Sequence, residues 1–218
     1  MELRLGINAR ASKNYDAAFR DRAEDMLDAL DRALAEDWSG FQLHCTEPEI
    51  IRETHAMRMD IKLPYKGRPW GTVQLEVAPA EGQAGQEIER VPARPLDPVQ
   101  IEGPERIVCA SVRYPIAQKI HACTEIYRDG RENDRFRDLI DLQLLRDLLD
   151  DGALPRVRDA CVEIFALRNK HTWPPDVTLY PSWRDAFAAM AANIGFYTDD
   201  VDVAAADLRK FIAEIDAS

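Results

Sequence analysis

Apolar and polar residues alternate in three segments of the first hundred residues, and this period of two predicts β-strands. The three segments are residues 3–7, 55–63 and 70–78. A turn containing Gly and Pro, residues 65–69, joins the second segment to the third, which predicts an antiparallel hairpin. We expect the inward positions of the second hairpin strand to be Val73, Leu75 and Val77.

Apolar residues recur every three or four positions elsewhere, which predicts amphipathic helices. Ser182 and Gly195 fit the N-cap and C-cap of one of these helices. Residues 41–45 fit a short strand, and the Pro- and Gly-rich residues 81–107 fit a long crossing loop that is followed by a short strand. The predicted helices are residues 16–36, 114–127, 134–149, 155–167, 182–195 and 201–215.

The order of these elements predicts an α+β fold. Strand and helix patterns mix in the first half, and the second half is almost entirely helical. We therefore expect a mixed sheet with helices, followed by a helical C-terminal bundle. The expected boundary separates residues 1–112 from residues 113–218.

Composition narrows the classes of function. The 218 residues carry a net charge of −11, which disfavours a protein that coats nucleic acid through general basicity but leaves room for a local basic pocket. No apolar run reaches the roughly 18 residues needed to span a bilayer, and the N terminus lacks a signal-peptide pattern. We expect a cytoplasmic protein that does not bind membranes, with its four scattered cysteines as buried thiols.

Two acidic positions in the first half could bind a divalent cation. Asp16 follows the first predicted strand, where it or Asn14 could equally cap the next helix. Glu76 lies on the polar face of the hairpin, with Asp60 on the neighbouring strand. Carboxylates that share a sheet face suit Mg²⁺ and metal-assisted phosphoryl transfer, whereas a solvated outer face is the plainer interpretation.

A basic and acidic set lies in the helical half. Asp138 and Asp141 are one helical turn apart and share a face. In one interpretation Lys119 and Asp138 face a cleft between the halves, where the lysine contacts phosphate and the aspartate orients it. In the other, this is a surface stripe in which Arg137 pairs with Asp141.

Taken in order, these segments resemble the AbiEii nucleotidyltransferase toxin family of bacterial type IV toxin–antitoxin systems. The resemblance extends over nearly the whole chain. Its segments are Arg10-Ala11-Ser12-Lys13-Asn14-Tyr15-Asp16, Gly67-Arg68-Pro69-Trp70 with Gln74-Leu75-Glu76-Val77, Tyr114 to Ala122, Arg135 to Leu142, and Arg168 to Trp183.

The resemblance implies a nucleotidyltransferase core and Mg²⁺-dependent transfer of a nucleoside monophosphate from a nucleoside triphosphate, in some members to the 3′ end of tRNA. It also implies a cognate antitoxin as partner. By position, Asp16 and Glu76 would be metal ligands, and Asp16, Lys119 and Asp138 would be catalytic. The nucleotide-binding residues would be Arg10, Ser12, Lys119 and Arg135.

The chain departs from the family pattern at three places. Asn14 replaces the first motif acid, Glu76 replaces an aspartate, and the Gly-Gly loop expected before the first strand is missing from the sequence that starts at Met1. We therefore expect an N-terminally truncated nucleotidyltransferase-like domain in residues 1–112. The alternative function is a catalytically degenerate relative that acts as a binding or regulatory module.

Overall fold

The computed structural model describes residues 14–19, 23–51, 55–93 and 103–218, and for residues 14–16, 23 and 24 it describes the backbone only. The chain divides into two compact units, one formed by Ala11–Cys109 and the other containing Ala110–Ser218. The predicted strand at residues 3–7, together with Arg10 and Ser12, lies outside the described residues.

The first unit is built on a five-stranded mixed sheet. Its path runs β1 (Asn14–Phe19), β5 (Arg68–Pro79), β4 (Ala56–Tyr65) and β2 (His44–Cys45), and β3 (Glu49–Ile51) also pairs with β4. β1 is parallel to β5, whereas β4 and β5 form the predicted antiparallel hairpin. The sequence therefore located the hairpin correctly, and the structure extends both of its strands.

One helix supplies the apolar layer on this sheet. Helix α1 (Ala23–Leu34) places Met26 against Met59, Leu75 and Val77, which are all buried. Val73, which the alternation predicts to point inward, is instead 42% exposed. It lies two residues before Leu75 toward the hairpin turn and is not part of this core cluster.

The predicted helix over residues 16–36 is wrong in its first part. Residues 14–19 form β1, and the helix begins only at Ala23. Ala17 and Phe19, two positions apart, pack against the core cluster, as expected for a strand. Pairing with the distant strand β5 decides this segment, so neither Asn14 nor Asp16 is a helix cap.

The predicted crossing loop is also more ordered than its composition suggested. It contains a short 3₁₀ helix at Gly82–Gly85 and strand β6 (Ile88–Pro92), which pairs with β7 (Arg106–Ala110) in a separate two-stranded sheet. The strand predicted near residues 107–110 is confirmed as β7. The other predicted short strand is limited to β2, while Phe41 takes part only in isolated bridges.

The second unit consists of five helices in its described part. They are α2 (Arg113–Thr124), α3 (Arg137–Arg146), α4 (Leu154–Arg168), α5 (Trp183–Ile194) and α6 (Val201–Asp216). Helix α2 packs against both α3 and α4, and α6 contacts α3, α4 and α5. The largest fully buried side chains include Tyr114, Ile120, Trp183, Phe187 and Phe211.

The predicted caps of α5 differ in outcome. Gly195 has a φ of +64° and ends the helix in the left-handed conformation, as predicted. Ser182 occupies the N-cap position, but its hydroxyl donates to the Glu132 carboxylate and not to the helix backbone. The contact with the preceding loop therefore replaces local capping.

Asn133 joins the end of α2 to the segment that leads into α3. Its Nδ2 donates to the carbonyl oxygens of Ala122 and Glu125, each at 2.8 Å, and its Oδ1 accepts from the Arg135 backbone at 2.8 Å. The residue is fully buried, so water cannot replace these bonds. This one side chain fixes how the second of these helices follows the first.

Replacement of Asn133 by alanine should therefore destabilise the second unit. We expect a loss of about 3 kcal/mol, because buried backbone groups lose their partners. Thermal unfolding followed by circular dichroism at 222 nm measures the effect. Asn193→Ala is the matched control, since Asn193 is exposed on α5; equal melting temperatures of the two variants would contradict this role of Asn133.

Candidate active site

Helices α2 and α3 bring Lys119 together with two aspartates. Lys119 Nζ donates to Asp138 Oδ1 and to Asp141 Oδ2, each at 2.7 Å. Asp141 is fully buried, the Asp138 side chain is 4% exposed, and that of Lys119 is 21% exposed. A sequence separation of three places both aspartates on one face of α3, as predicted.

Charge balance explains the protonation state of this lysine. Burial by itself lowers the pKa of Lys119, but the charges of Asp138 and Asp141 and their hydrogen bonds raise it by more, so its pKa lies above the ordinary value. Lys119 is therefore a cation across the physiological range. The two carboxylates hold the lysine firmly in place. The three side chains together carry a formal net charge of −1, so the trio does not by itself attract an anion.

One oxygen of Asp138 is buried and lacks a hydrogen-bond partner among the described residues. Oδ1 binds Lys119, whereas Oδ2 is buried and has no hydrogen-bond partner among the described residues. Because an unmet buried acceptor is costly, such an atom marks a candidate ligand contact. Asp138 also lies in the first turn of α3, where the helix dipole favours a carboxylate.

Two further residues of this region, Arg135 and Cys123, differ in their exposure to solvent. Arg135, two residues before α3, is exposed and adds positive charge next to Asp138. Cys123 is buried, and burial followed by the charge of Asp138 raises its pKa, so its thiol stays protonated. The prediction of buried thiols is confirmed for Cys123 and Cys161, whereas Cys45 and Cys109 are only partly buried.

Two histidines meet next to these helices, which their sequence spacing did not reveal. The rings of His121 and His171 lie 4.5 Å apart, and both contact Phe165. Burial lowers the pKa of His171, while Glu125 opposes the shift, so this ring is neutral at physiological pH. His121 is thus part of a buried aromatic cluster.

The first unit holds the two residues expected to bind metal. Asp16 on β1 is the register partner of Glu76 on β5. Glu76 Oε1 accepts a hydrogen bond of 2.8 Å from Arg58 Nε, and Arg58 is opposite Glu76 on β4. Asp60 is opposite Gln74 and forms an ion pair with Lys62, so its partner is a lysine on its own strand.

Carboxylates at paired register positions suit the coordination of Mg²⁺. In phosphate-handling sites this ion takes one or two protein carboxylates and completes its octahedron with water and phosphate oxygens. Among the side chains that the structure describes, no group of three or more His, Cys, Asp or Glu forms a dedicated metal cage. The assignment of Asp16 and Glu76 as Mg²⁺ ligands stays a prediction that rests on the family resemblance and on their paired register.

Sequence reasoning missed the roles of three residues here. Asp141 was interpreted as a possible partner of Arg137, yet it binds Lys119. Asn133 and Arg58 were not singled out, although one links α2 to α3 and the other holds Glu76. Only the opposite charges on facing hairpin strands could have indicated the Arg58–Glu76 pair.

The comparisons with known proteins identify the class of this chain as a nucleotidyltransferase. A family model described as "Nucleotidyl transferase AbiEii toxin, Type IV TA system" matches residues 1–213, so the chain belongs to the AbiEii family. This membership confirms the resemblance drawn from the sequence motifs, and it implies a nucleoside triphosphate substrate and an antitoxin partner.

A solved structure supports the same fold. MenT4, the nucleotidyltransferase toxin Rv2826c from Mycobacterium tuberculosis H37Rv, is similar over 98% of this chain and 71% of its own, with a TM-score of 0.56 and 17% identity. The expected α+β class with a nucleotidyltransferase-like mixed sheet is thereby confirmed. Curated protein sequences gave no match. Within the described residues, no helix has the length and apolar character to cross a bilayer.

Removal of the Lys119 charge should lower the stability of the protein, because Asp138 and Asp141 are buried carboxylates. We expect Lys119→Met to lower the free energy of unfolding by about 3–5 kcal/mol at pH 7, because two adjacent carboxylates lose their cation. Lys170→Met is the matched control, since Lys170 is exposed in the same unit. Thermal unfolding by circular dichroism compares the two variants.

The pH dependence of that loss provides a further check on its cause. The raised pKa of Lys119 means that its contribution is complete below the ordinary lysine pKa and is lost only as pH rises through the higher folded-state value. The difference between wild type and Lys119→Met should therefore stay constant from pH 7 to pH 9. A difference that shrinks between pH 7 and pH 9 would argue against this explanation.

Proposed function

We propose that this nucleotidyltransferase transfers a nucleoside monophosphate from a nucleoside triphosphate to a hydroxyl acceptor such as the 3′ end of a tRNA. The observation that carries the proposal is the arrangement around Lys119. This cation is held by two carboxylates, and one of those carboxylates keeps a buried oxygen without a partner. Membership in the AbiEii family supports the same reaction class.

Lys119 is suited to contact a phosphate group. Its ammonium has three N–H donors, and Asp138 and Asp141 accept two of them. The third donor can bind a phosphate oxygen, and the paired aspartates keep the ammonium in place while it does so. Arg135, exposed next to this trio, supplies the positive charge that the trio itself lacks.

Asp138 is suited to receive a proton from the acceptor. The acceptor oxygen forms a bond to the α-phosphorus, the bond from that phosphorus to the bridging oxygen breaks, and pyrophosphate leaves. The hydroxyl proton goes to Asp138 Oδ2, the oxygen that Lys119 does not engage. The first turn of α3 and Lys119 hold this carboxylate in position for the transfer.

Asp16 and Glu76 are the residues that would hold Mg²⁺, which neutralises charge on the triphosphate when it is bound. The contribution of the chain is to fix their positions. β1 and β5 set the register between the two residues, and Arg58 orients the Glu76 carboxylate through one of its oxygens. Localisation in the cytoplasm, where nucleoside triphosphates are abundant, fits this function and is part of the proposal.

A transfer assay tests the roles of the helical residues. Purified protein is incubated with Mg²⁺, each of the four labelled nucleoside triphosphates and total tRNA. We expect Lys119→Ala and Asp138→Asn to reduce label transfer at least about 100-fold, the range that a proton-transfer group supplies. Lys170→Ala and Asp159→Asn are the matched controls, because both residues are exposed.

The outcomes of that assay separate the candidate functions. Transfer by Asp138→Asn within about threefold of wild type would overturn the assignment of the proton acceptor. Nucleotide binding in calorimetry without any transfer by the wild-type chain would support the degenerate binding module instead. Because Asp138→Asn preserves the shape of the side chain, its melting temperature shows whether a lost activity is merely a folding defect.

The metal dependence tests the residues of the first unit. We expect Glu76→Gln to raise the Mg²⁺ concentration needed for half-maximal transfer at least about tenfold, because an amide oxygen is a weaker ligand than a carboxylate. Asp16→Asn should act in the same direction. Glu49→Gln, an exposed position on β3, is the control, and an unchanged Mg²⁺ requirement in Glu76→Gln would remove it from the metal site.

A further inference from the structure

Two tight turns meet at the end of the β4–β5 hairpin. In the hairpin turn, Lys66 and Gly67 have φ values of +48° and +75°, and in a neighbouring turn Ser39 and Gly40 have values of +53° and +89°. Positive φ at both central residues is the geometry that fits tight hairpin turns best. Both turns are therefore compact, well-defined structures and not loose loops.

Hydrogen bonds join the two turns to each other. The Lys66 backbone donates to Gly40 O at 3.0 Å, and the Gln42 backbone donates to Pro64 O at 3.1 Å. A Cβ at Gly40 would lie only 3.2 Å from the Tyr65 ring, so a glycine is required by space as well as by φ. The two turns are held in a fixed relation.

Four aromatic side chains gather on this platform, which we call the aromatic tip: Trp38, Phe41, Tyr65 and Trp70. Phe41 is buried at its centre, with ring centroids 5.8 Å from Trp38, 5.0 Å from Tyr65 and 5.2 Å from Trp70. The other three rings remain exposed, Trp70 to 68% and the other two to more than a third. The tip is thus packed around Phe41, and Trp70 is its most exposed ring.

A β-bulge sets the position of Trp70. Leu63 pairs with Gly71, but the next residue, Pro64, pairs with Pro69, which leaves Trp70 as the extra residue of β5. A bulge changes the direction of a side chain relative to the regular alternation of the strand. The most exposed tryptophan of the described residues is therefore presented by a local irregularity of the sheet.

Positive charge accompanies these rings, although the chain as a whole is acidic. Lys66 and Arg68 are exposed in the turn, and Lys66 Nζ lies 5.1 Å from the Tyr65 ring centroid. No acidic residue occurs between Leu63 and Trp70, in a chain of net charge −11. In the neighbouring turn Asp37 is exposed, and its Oδ2 accepts a hydrogen bond of 3.4 Å from the Gly40 backbone, so the positive charge is confined to the hairpin turn. At the hairpin turn this charge favours a partner that is both aromatic and anionic.

The size of the tip favours nucleic acid over a protein partner. At about 200 Å² for a fully exposed aromatic side chain, the three open rings present on the order of 300 Å². A stable protein interface takes roughly 800 Å² from each partner, whereas one or two stacked bases need far less. Aromatic rings next to Lys and Arg are the combination used to bind single strands.

We propose that the aromatic tip binds single-stranded RNA, with a base stacked on Trp70 and phosphates contacted by Lys66 and Arg68. The choice of RNA rests on the proposed acceptor, whose 3′ end is single-stranded. Trp70 is six residues from Glu76 along β5, or about 20 Å. The tip is therefore a docking surface for the acceptor and is distinct from the residues proposed to bind metal.

Fluorescence anisotropy with a labelled, unstructured 12-nucleotide RNA tests the proposal on the full chain. We expect Trp70→Ala to weaken binding about tenfold, and Trp70→Phe to keep most of the affinity because a ring remains for stacking. Tyr197→Ala is the matched control, since Tyr197 is also exposed, to 60%, but lies in the other unit. Lys66→Ala should reduce the salt dependence of binding by about one phosphate contact.

The same variants define the results that would overturn the proposal. Equal RNA affinity of Trp70→Ala and wild type would do so, and so would equal loss of binding to inorganic polyphosphate, which has no bases to stack. Loss of self-association in Trp70→Ala during sedimentation, with RNA affinity unchanged, would identify the tip as a protein interface. Stronger binding of the matching DNA strand would contradict the choice of RNA.

The experiment also separates this inference from the proposed function. RNA binding that depends on Trp70, in a chain that transfers no nucleotide, would leave the inference standing and remove the proposed reaction. Transfer that proceeds without any contribution of Trp70 to RNA affinity would do the opposite.

Discussion

The ion pairs of Lys119 with Asp138 and Asp141 are the interaction on which the helical unit depends. Two carboxylates removed from water and placed one helical turn apart would repel each other and lose their hydration. Lys119, which lies on α2, donates to both carboxylates on α3 at 2.7 Å. These bonds offset the unfavourable burial and define the contact between the two helices. The packing of these two helices is therefore tied to the same atoms that the proposed chemistry uses.

This dependence explains why the side-chain amide of Asn133 is important for the placement of α3 relative to α2. A charged pair is strong only where its atoms are held at short distance, and a loop between two helices would otherwise leave that distance variable. Asn133 binds the end of α2 and the backbone just before α3, and thereby fixes the reach from Lys119 to Asp138. The orphan oxygen of Asp138 follows from the same arrangement, since the lysine can engage only one side of the carboxylate in this position.

Because the chain is strongly acidic, local groups of positive charge are important for the binding of anions. A chain with a net charge of −11 repels triphosphates and RNA over most of its surface. We therefore infer that the proposed contacts with the triphosphate and with RNA take place at exposed local cations: Arg135 in the helical unit, and Lys66 and Arg68 on the hairpin. In an acidic toxin such restriction also limits unspecific binding to nucleic acid.

The local pattern of apolar and polar residues was sufficient to predict those helices and strands whose partners lie nearby in the sequence. The β4–β5 hairpin followed from alternation around a Gly/Pro turn, and the helices of the second half followed from their apolar spacing. It failed for residues 14–19, where apolar spacing fitted a helix but a parallel partner sixty residues away imposed a strand. It failed again for β6, whose pairing with β7 is equally remote from any local signal.

The sequence by itself determined the fold class, the family and the residue types available for chemistry, because these depend on periodicity and on ordered motifs. Only the tertiary structure decided which charges meet. Arg137 and Lys119 were both possible partners for Asp141, and the packing of α2 on α3 selected the lysine. The aromatic tip likewise depends on the tertiary structure, since its rings come from positions 38 to 70. Turns, cross-turn hydrogen bonds and one bulge bring these rings to a common surface.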